Sequence, residues 1–185
     1  ENRQYAVNLS AGSEKLSWSS MLGYDDNTGS LEEKYTRLNV RFQNTWKPVE
    51  RLSVSSGVWL NRTRTRSGRY GYGSVAVKNN GLPYMQFADE EGNALSVPRD
   101  YNQDYKLSLG AGKLLDWNYY PLTNWQHEVT AGDGTELLLN AGINYKITEG
   151  LSAELSYQYQ NHSRTSSTLN DAQSYYARNY VNLFS

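Results

Sequence analysis

Apolar and polar residues alternate one by one through six long stretches of this chain, and that pattern leaves few folds open to it. Tyr5, Val7, Leu9 and Ala11 share one face, with Ala6, Asn8 and Ser10 on the other. Leu16, Trp18, Leu22 and Tyr24 come next, opposed by Ser17, Ser19 and Gly23. Leu38, Val40, Phe42 and Trp46 then face away from Arg37, Asn39, Arg41, Gln43 and Thr45. Leu52, Val54, Val58 and Leu60 oppose Ser53, Ser55, Gly57 and Trp59. After a long gap, Leu137, Leu139, Ala141, Ile143, Tyr145 and Ile147 alternate with Leu138, Asn140, Gly142, Asn144 and Lys146. Leu151, Ala153, Leu155, Tyr157 and Tyr159 close the series against Ser152, Glu154, Ser156, Gln158 and Gln160. Strands are therefore expected over 4–11, 16–24, 35–46, 52–62, 135–147 and 151–160, in an all-β, antiparallel up-and-down meander.

Length and the second face separate a membrane wall from a soluble sandwich. Strands of globular proteins centre on about five or six residues, whereas a tilted membrane strand needs about 9–11. A face this rich in Ser, Asn, Gln, Gly and charge suits a water-filled or plugged lumen better than a buried core. The connections point the same way. Gly12–Lys15, Lys47–Glu50 and Thr148–Gly150 are short, while Asp25–Lys34, 63–134 and everything after Asn161 are long. Short turns alternating with extended loops are the habit of outer-membrane barrels, with the long loops outside the cell. Tyr105–Leu109 also alternates, but a spanning strand there would reverse the next pair, so it is placed inside the 63–134 loop as a hairpin arm or a helical turn. Six strands do not close a barrel, since known single-chain bacterial barrels start at about eight. The chain is accordingly expected to be about six strands of a larger transmembrane β-barrel, an expectation that the lack of a signal core at Glu1 fits.

Composition narrows function chiefly by exclusion. Lys+Arg 18 against Asp+Glu 19 gives a net charge of -1, with no electrostatic footprint for nucleic acid. The absence of cysteine removes disulfides and thiolate metal sites. The 16 Tyr and 5 Trp against only 3 Phe favour settings that are apolar on one side and wet on the other.

The run Tyr5–Lys15, then Leu16 to Leu22 and Gly23-Tyr24-Asp25-Asp26-Asn27-Thr28-Gly29, resembles the SusC/RagA family of TonB-linked outer-membrane proteins. It departs in having Ala11 at the pattern's first glycine and Ser13 after Gly12. The stretch Tyr35–Arg41 and the tail Asn161–Asn170 are also similar to that family. The resemblance implies a parent barrel of about 22 strands with a plugged lumen, neither plug nor TonB box lying in this chain. It further implies location in the Gram-negative outer membrane, a SusD-like surface lipoprotein and the TonB complex as partners, and uptake of oligosaccharides or peptides, with no cofactor. The other reading is a soluble β-rich carbohydrate-binding or adhesion module.

Candidate sites follow from residue type. Trp117, Tyr119, Tyr120 and Trp125 in the long loop, with Tyr70 and Tyr72, offer aromatic faces for ligand or partner contact, or fold the loop on itself. Trp18, Tyr24, Trp46, Tyr157 and Tyr159 lie near strand ends and read as membrane-interface aromatics. Trp59 is the exception, pointing to the polar face. Arg62, Arg64, Arg66 and Arg69 either meet anions, of substrate or lipopolysaccharide, or pair with Asp89, Glu90 and Glu91. Those acids with Asp25 and Asp26 match no calcium-loop spacing. His127-Glu128 lacks the second histidine of a zinc-protease helix, so no enzymatic role and no metal are expected.

Overall fold

Where alternation is strict, extended backbone results, and each strand pairs with its sequence neighbour. A computed structural model describes residues 1–77, 84–109 and 112–185. Strands β1 (Asn2–Gly12), β2 (Leu16–Thr28), β3 (Lys34–Val49), β4 (Leu52–Arg66), β5 (Glu128–Thr148) and β6 (Leu151–Asn170) form one six-stranded antiparallel meander in sequence order. Among the described residues there are also a 3-10 turn at Tyr72–Ser74 and three short α-helices: α1 (Gln103–Ser108), α2 (Pro121–His127) and α3 (Tyr175–Leu183). Two compact units emerge. The first comprises Glu1–Gly29, Lys34–Thr65 and Gly132–Ser166, and the second Ser30–Glu33, Arg66–Ala131 and Ser167–Ser185. The second unit gathers the connections after β2 and β4 and the chain after β6, with the adjoining ends of β4, β5 and β6.

In the first unit, register sets the two faces. Tyr5 sits opposite Tyr24 and Val7 opposite Leu22, while Leu22 in turn meets Val40 and Leu16 meets Trp46. Residues directly opposite share a face, so the apolar positions of the three strands form one continuous surface. Asn8 lies opposite Met21, Met21 opposite Arg41, and Ser19 opposite Gln43 on the other face. The apolar surface is uncovered: Leu9 is 58% and Leu155 69% exposed. Among the described residues the buried hydrophobics are Val97, Trp117, Tyr119 and Tyr175, all in the second unit, so the sheet has no core on either side. Charge bounds the apolar surface at one end. Arg3 and Asp26 face each other just beyond Tyr5 and Tyr24. Beyond Leu60, Arg62 and Arg64 reach Asp133 at 3.4 and 3.2 Å. Within the apolar surface, the Asn44 Oδ1 accepts from both the backbone N–H of Ser56 (3.2 Å) and its hydroxyl (2.6 Å), tying β3 to β4. The polar face carries the one buried carboxylate of the sheet, Asp25, 5% exposed and held by Arg37 Nε at 2.7 Å.

Several boundaries differ from expectation. The connection expected over Asp25–Lys34 shrinks to Gly29–Glu33, and the loop expected over 63–134 is 67–127, because β2, β4 and β5 continue well past their apolar residues. β6 runs on through the expected loop after Asn161 to Asn170, making β5 and β6 21 and 20 residues long. The extension of β6, Asn161–Asn170, is rich in Ser, Thr and Asn, and that of β5, Glu128–Gly134, has only Val129 and Ala131 as apolar side chains, so backbone pairing extends where side-chain hydrophobicity gives no signal. Pro48 lies inside β3, one residue from its end, a strand position proline tolerates; the turn itself is Glu50-Arg51. Tyr105–Ser108 is the helical alternative, within α1, not a hairpin arm.

The second unit has a true core. Val97, Trp117, Tyr119 and Tyr175 are packed against Val75, Val77, Met85, Phe87, Tyr101 and Leu114. Arg99 is sandwiched between the Tyr119 and Tyr175 rings, its guanidinium 4.6 and 4.8 Å from their centroids. α3 starts at Ser174, whose side chain accepts from the Ala177 N–H at 3.1 Å. It docks through paired amides: Asn182 accepts from Leu115 N–H (2.8 Å) and donates to Leu115 C=O (3.0 Å). The Trp117 indole N–H donates to Asn179 at 2.7 Å. Trp117→Ala should cost this unit about 3–5 kcal/mol through the cavity and the lost bond. Limited proteolysis should then cut within 66–131 while the far-ultraviolet signature of the sheet persists; unchanged protease resistance would contradict this packing.

Candidate functional site

The aromatic candidates of the long loop divide by burial. Trp117 and Tyr119 are interior, Tyr119 at 1% exposure, so their rings fold the unit rather than offer a surface. Tyr70 is half-buried and its hydroxyl bonds Glu128; burial first, and then that carboxylate, push its pKa well up. Tyr175 is raised likewise, by burial and then by Asp100, to which it donates at 2.8 Å. Both phenols therefore stay neutral donors through the physiological range. Trp125 is half-buried, donates to Leu122 C=O at 2.9 Å, and lies under the Arg69 guanidinium at 5.6 Å. Tyr72 is open, at 71% exposure, with its ring 5.2 Å from Phe87.

Tyr120 lines a cleft of about 330 Å³ in the second unit. Thr123, His127, Gln173 and Arg178 share its wall. Arg178 is fully engaged there, by Asp116 Oδ2 and C=O (each 2.9 Å), Asn118 C=O (3.1 Å) and Ser174 C=O (3.4 Å). It braces the cleft rather than recruiting an anion. Asn124, buried beside it, accepts from the Tyr175 N–H at 2.7 Å and donates to Glu128 at 3.0 Å. His127 Nδ1 lies 2.9 Å from Asp171 Oδ2, and the Asp171 N–H donates to His127 C=O at 3.0 Å, clasping the end of α2 to the entry of α3.

The basic stretch is not paired as expected. Arg62 and Arg64 take Asp133, and Arg69 takes Glu32, rather than Asp89–Glu91. Asp89 instead accepts from the Asn93 N–H (2.6 Å) and side-chain amide (2.9 Å), closing a tight turn through Gly92 at φ 86. Asp25 is taken by Arg37, so Asp25 and Asp26 do not gather with those acids. Among the described residues no three His, Asp or Glu side chains converge on a metal position.

Near the strand ends, Trp18 is half-buried and stacks toward Phe42, with centroids 6.5 Å apart, while Tyr24, Trp46, Tyr157 and Tyr159 are exposed on the apolar face. Trp59 does turn to the polar face, with the Arg41 guanidinium 4.8 Å above its ring and its indole nitrogen buried without a partner. Sequence reasoning missed α3 altogether, along with the clasp at Asp171; Ser174 three residues before Ala177 was the available capping signal. No family model matches the sequence, and no curated protein is matched by it.

The Asp171 carboxylate is held below its usual range by His127 first, and then by the N–H groups of Gln173 and Ser174. A lowered carboxylate stabilises the fold above its ordinary value, about 3.9, and that contribution fades as pH falls through the lowered one. Near-ultraviolet circular dichroism of the docked Tyr175 and Trp117 should therefore fall along an acid limb below about pH 4. Asp171→Asn should weaken that limb; an identical limb in the variant would assign it to other carboxylates.

Proposed function

We propose that this chain is wall and extracellular loop of a larger outer-membrane barrel, a SusC-like TonB-dependent importer of oligosaccharides or peptides. The observation that carries the reading is the bare apolar face of the sheet. Six strands set Leu, Val, Ile, Tyr and Trp on one side, with nothing among the described residues burying them. In water such a surface greatly exceeds what monomeric soluble proteins tolerate. From Leu52 to Leu60, or Leu151 to Tyr159, each stretch rises about 26 Å at roughly 3.3 Å per residue, comparable after tilt to an outer-membrane apolar band. The charges of Arg3, Asp26, Arg62, Arg64 and Asp133 begin where that band ends.

The unpaired edges support membership in something longer. β1 and β6 end the ladder, and in hydrocarbon each free backbone group costs several kcal/mol, so further strands must flank them in the parent. In that setting the folded loop unit faces the exterior, where a SusD-like lipoprotein and substrate arrive, and TonB acts through a region outside this chain. No catalytic role is proposed. The competing soluble binding module requires a buried face for the sheet, and the exposure of Leu9 and Leu155 tells against it.

Detergent dependence tests the reading. In plain buffer the purified chain should associate, and in a mild detergent it should sediment as a detergent-bound species. Leu22→Arg, in the middle of the band, should cost roughly 2 kcal/mol or more in a bilayer, against about 0.5 kcal/mol at an ordinary wet surface. A monodisperse, detergent-free monomer whose stability ignores Leu22→Arg would sink the proposal.

A further inference from the structure

The first unit holds a second concave site, on the polar face of the sheet. A cleft of about 270 Å³ is bordered by Tyr35 of β3, by Asn61, Thr63 and Thr65 of β4, and by residues of β5 and β6. Small-molecule sites begin near roughly 300 Å³, so this one accepts a single sugar-sized unit. Its floor stays low because β5 has Gly132 and Gly134 there: a Cβ on either would come 2.6 Å from the hydroxyls of Thr65 and Thr63.

Of the strand arginines, Arg3 is engaged by Glu1, Arg37 by Asp25, and Arg62 and Arg64 by Asp133, while Arg41 donates to Gln43. Arg164 lines the cleft, and no carboxylate among the described residues pairs with it. His162, two residues earlier on the same face of β6, stands beside it. Of the cleft's two acids, Glu136 accepts from the Gln160 amide at 2.9 Å and Asp133 is held by Arg62 and Arg64. One end thus presents an open guanidinium fork, suited to a carboxylate. The other presents acceptors and hydroxyls: Glu136, Thr63, Thr65 and the Tyr35 phenol. Asn61 Oδ1, buried alongside, has no donor.

We infer that this cleft binds a polyhydroxylated acid, of the kind a uronic-acid unit represents, with its carboxylate on Arg164 and His162 and its hydroxyls toward Glu136 and the threonines. A neutral sugar leaves the guanidinium unsatisfied, and a simple anion leaves the hydroxyl-binding end empty. As a substrate subsite this rests on the importer reading and sharpens it to acidic glycans; the binding itself follows from the cleft alone.

Calorimetric titration of the full chain in detergent, with galacturonate, galactose and acetate as probes, tests it. Galacturonate should bind roughly tenfold or more tightly than either control, as one charged hydrogen-bonding group warrants. Arg164→Gln should abolish the preference over galactose, and His162→Gln should reduce it. Arg3→Gln, on β1 outside the cleft, should leave it intact, with circular dichroism confirming the sheet in each variant. Equal binding of galactose or acetate, no binding of galacturonate to the folded chain, or an unchanged preference in Arg164→Gln while the sheet is retained would overturn the inference. Such a failure would leave the detergent dependence untouched, so the two readings can fall separately.

Discussion

Backbone pairing between neighbouring strands is the constraint on which everything else here rests. Once Tyr5 is fixed opposite Tyr24, and Leu22 opposite Val40, every side chain along those strands is committed to one face or the other. A shift of one residue would exchange the faces entirely. The apolar surface, the polar cleft at Arg164 and the charged rim at Asp133 are all products of that commitment. The same ladder leaves β1 and β6 as its two edges.

The two units hold together by different means. The sheet has no interior, so its order within the chain comes from hydrogen bonds and cross-strand neighbours. The loop unit is organised conventionally, around aromatic rings and a cationic spacer, Arg99, lodged between Tyr119 and Tyr175. Its polar side chains complete the arrangement by capping backbone that has no partner in regular structure: Asn182 at Leu115, Asn124 at Tyr175, Arg178 at Asn118. Each of these bonds satisfies a loop group that burial would otherwise leave costly.

Much of the sheet was legible in the sequence because a strand with one apolar face alternates strictly. All six strands fall where Leu, Val, Ile and aromatic residues recur at every second position. What escaped was the part without an apolar stripe. Glu128–Gly134 and Asn161–Asn170 are strand by virtue of their pairing, and few of their side chains are apolar, so no periodicity marks them. The loop aromatics showed the reverse problem. Composition identified Trp117 and Tyr119 as consequential, but only tertiary packing separates a buried ring from an exposed one such as Tyr72. The cleft at Arg164 was invisible for another reason: it draws its residues from four strands, and their nearness depends on a register that no local pattern encodes.

The bonds from Ser56 to the Asn44 carboxamide carry a mechanical meaning. Because the amide oxygen accepts both the main-chain N–H and the hydroxyl of the same residue, it fastens β3 and β4 at a single point. Sliding β4 by one residue turns Ser56 to the opposite side, and sliding by two carries it about 6.6 Å away; either slip breaks both bonds at once. Under a pulling force along the strands, the seam between β3 and β4 should therefore resist shear better than one held by ladder bonds alone.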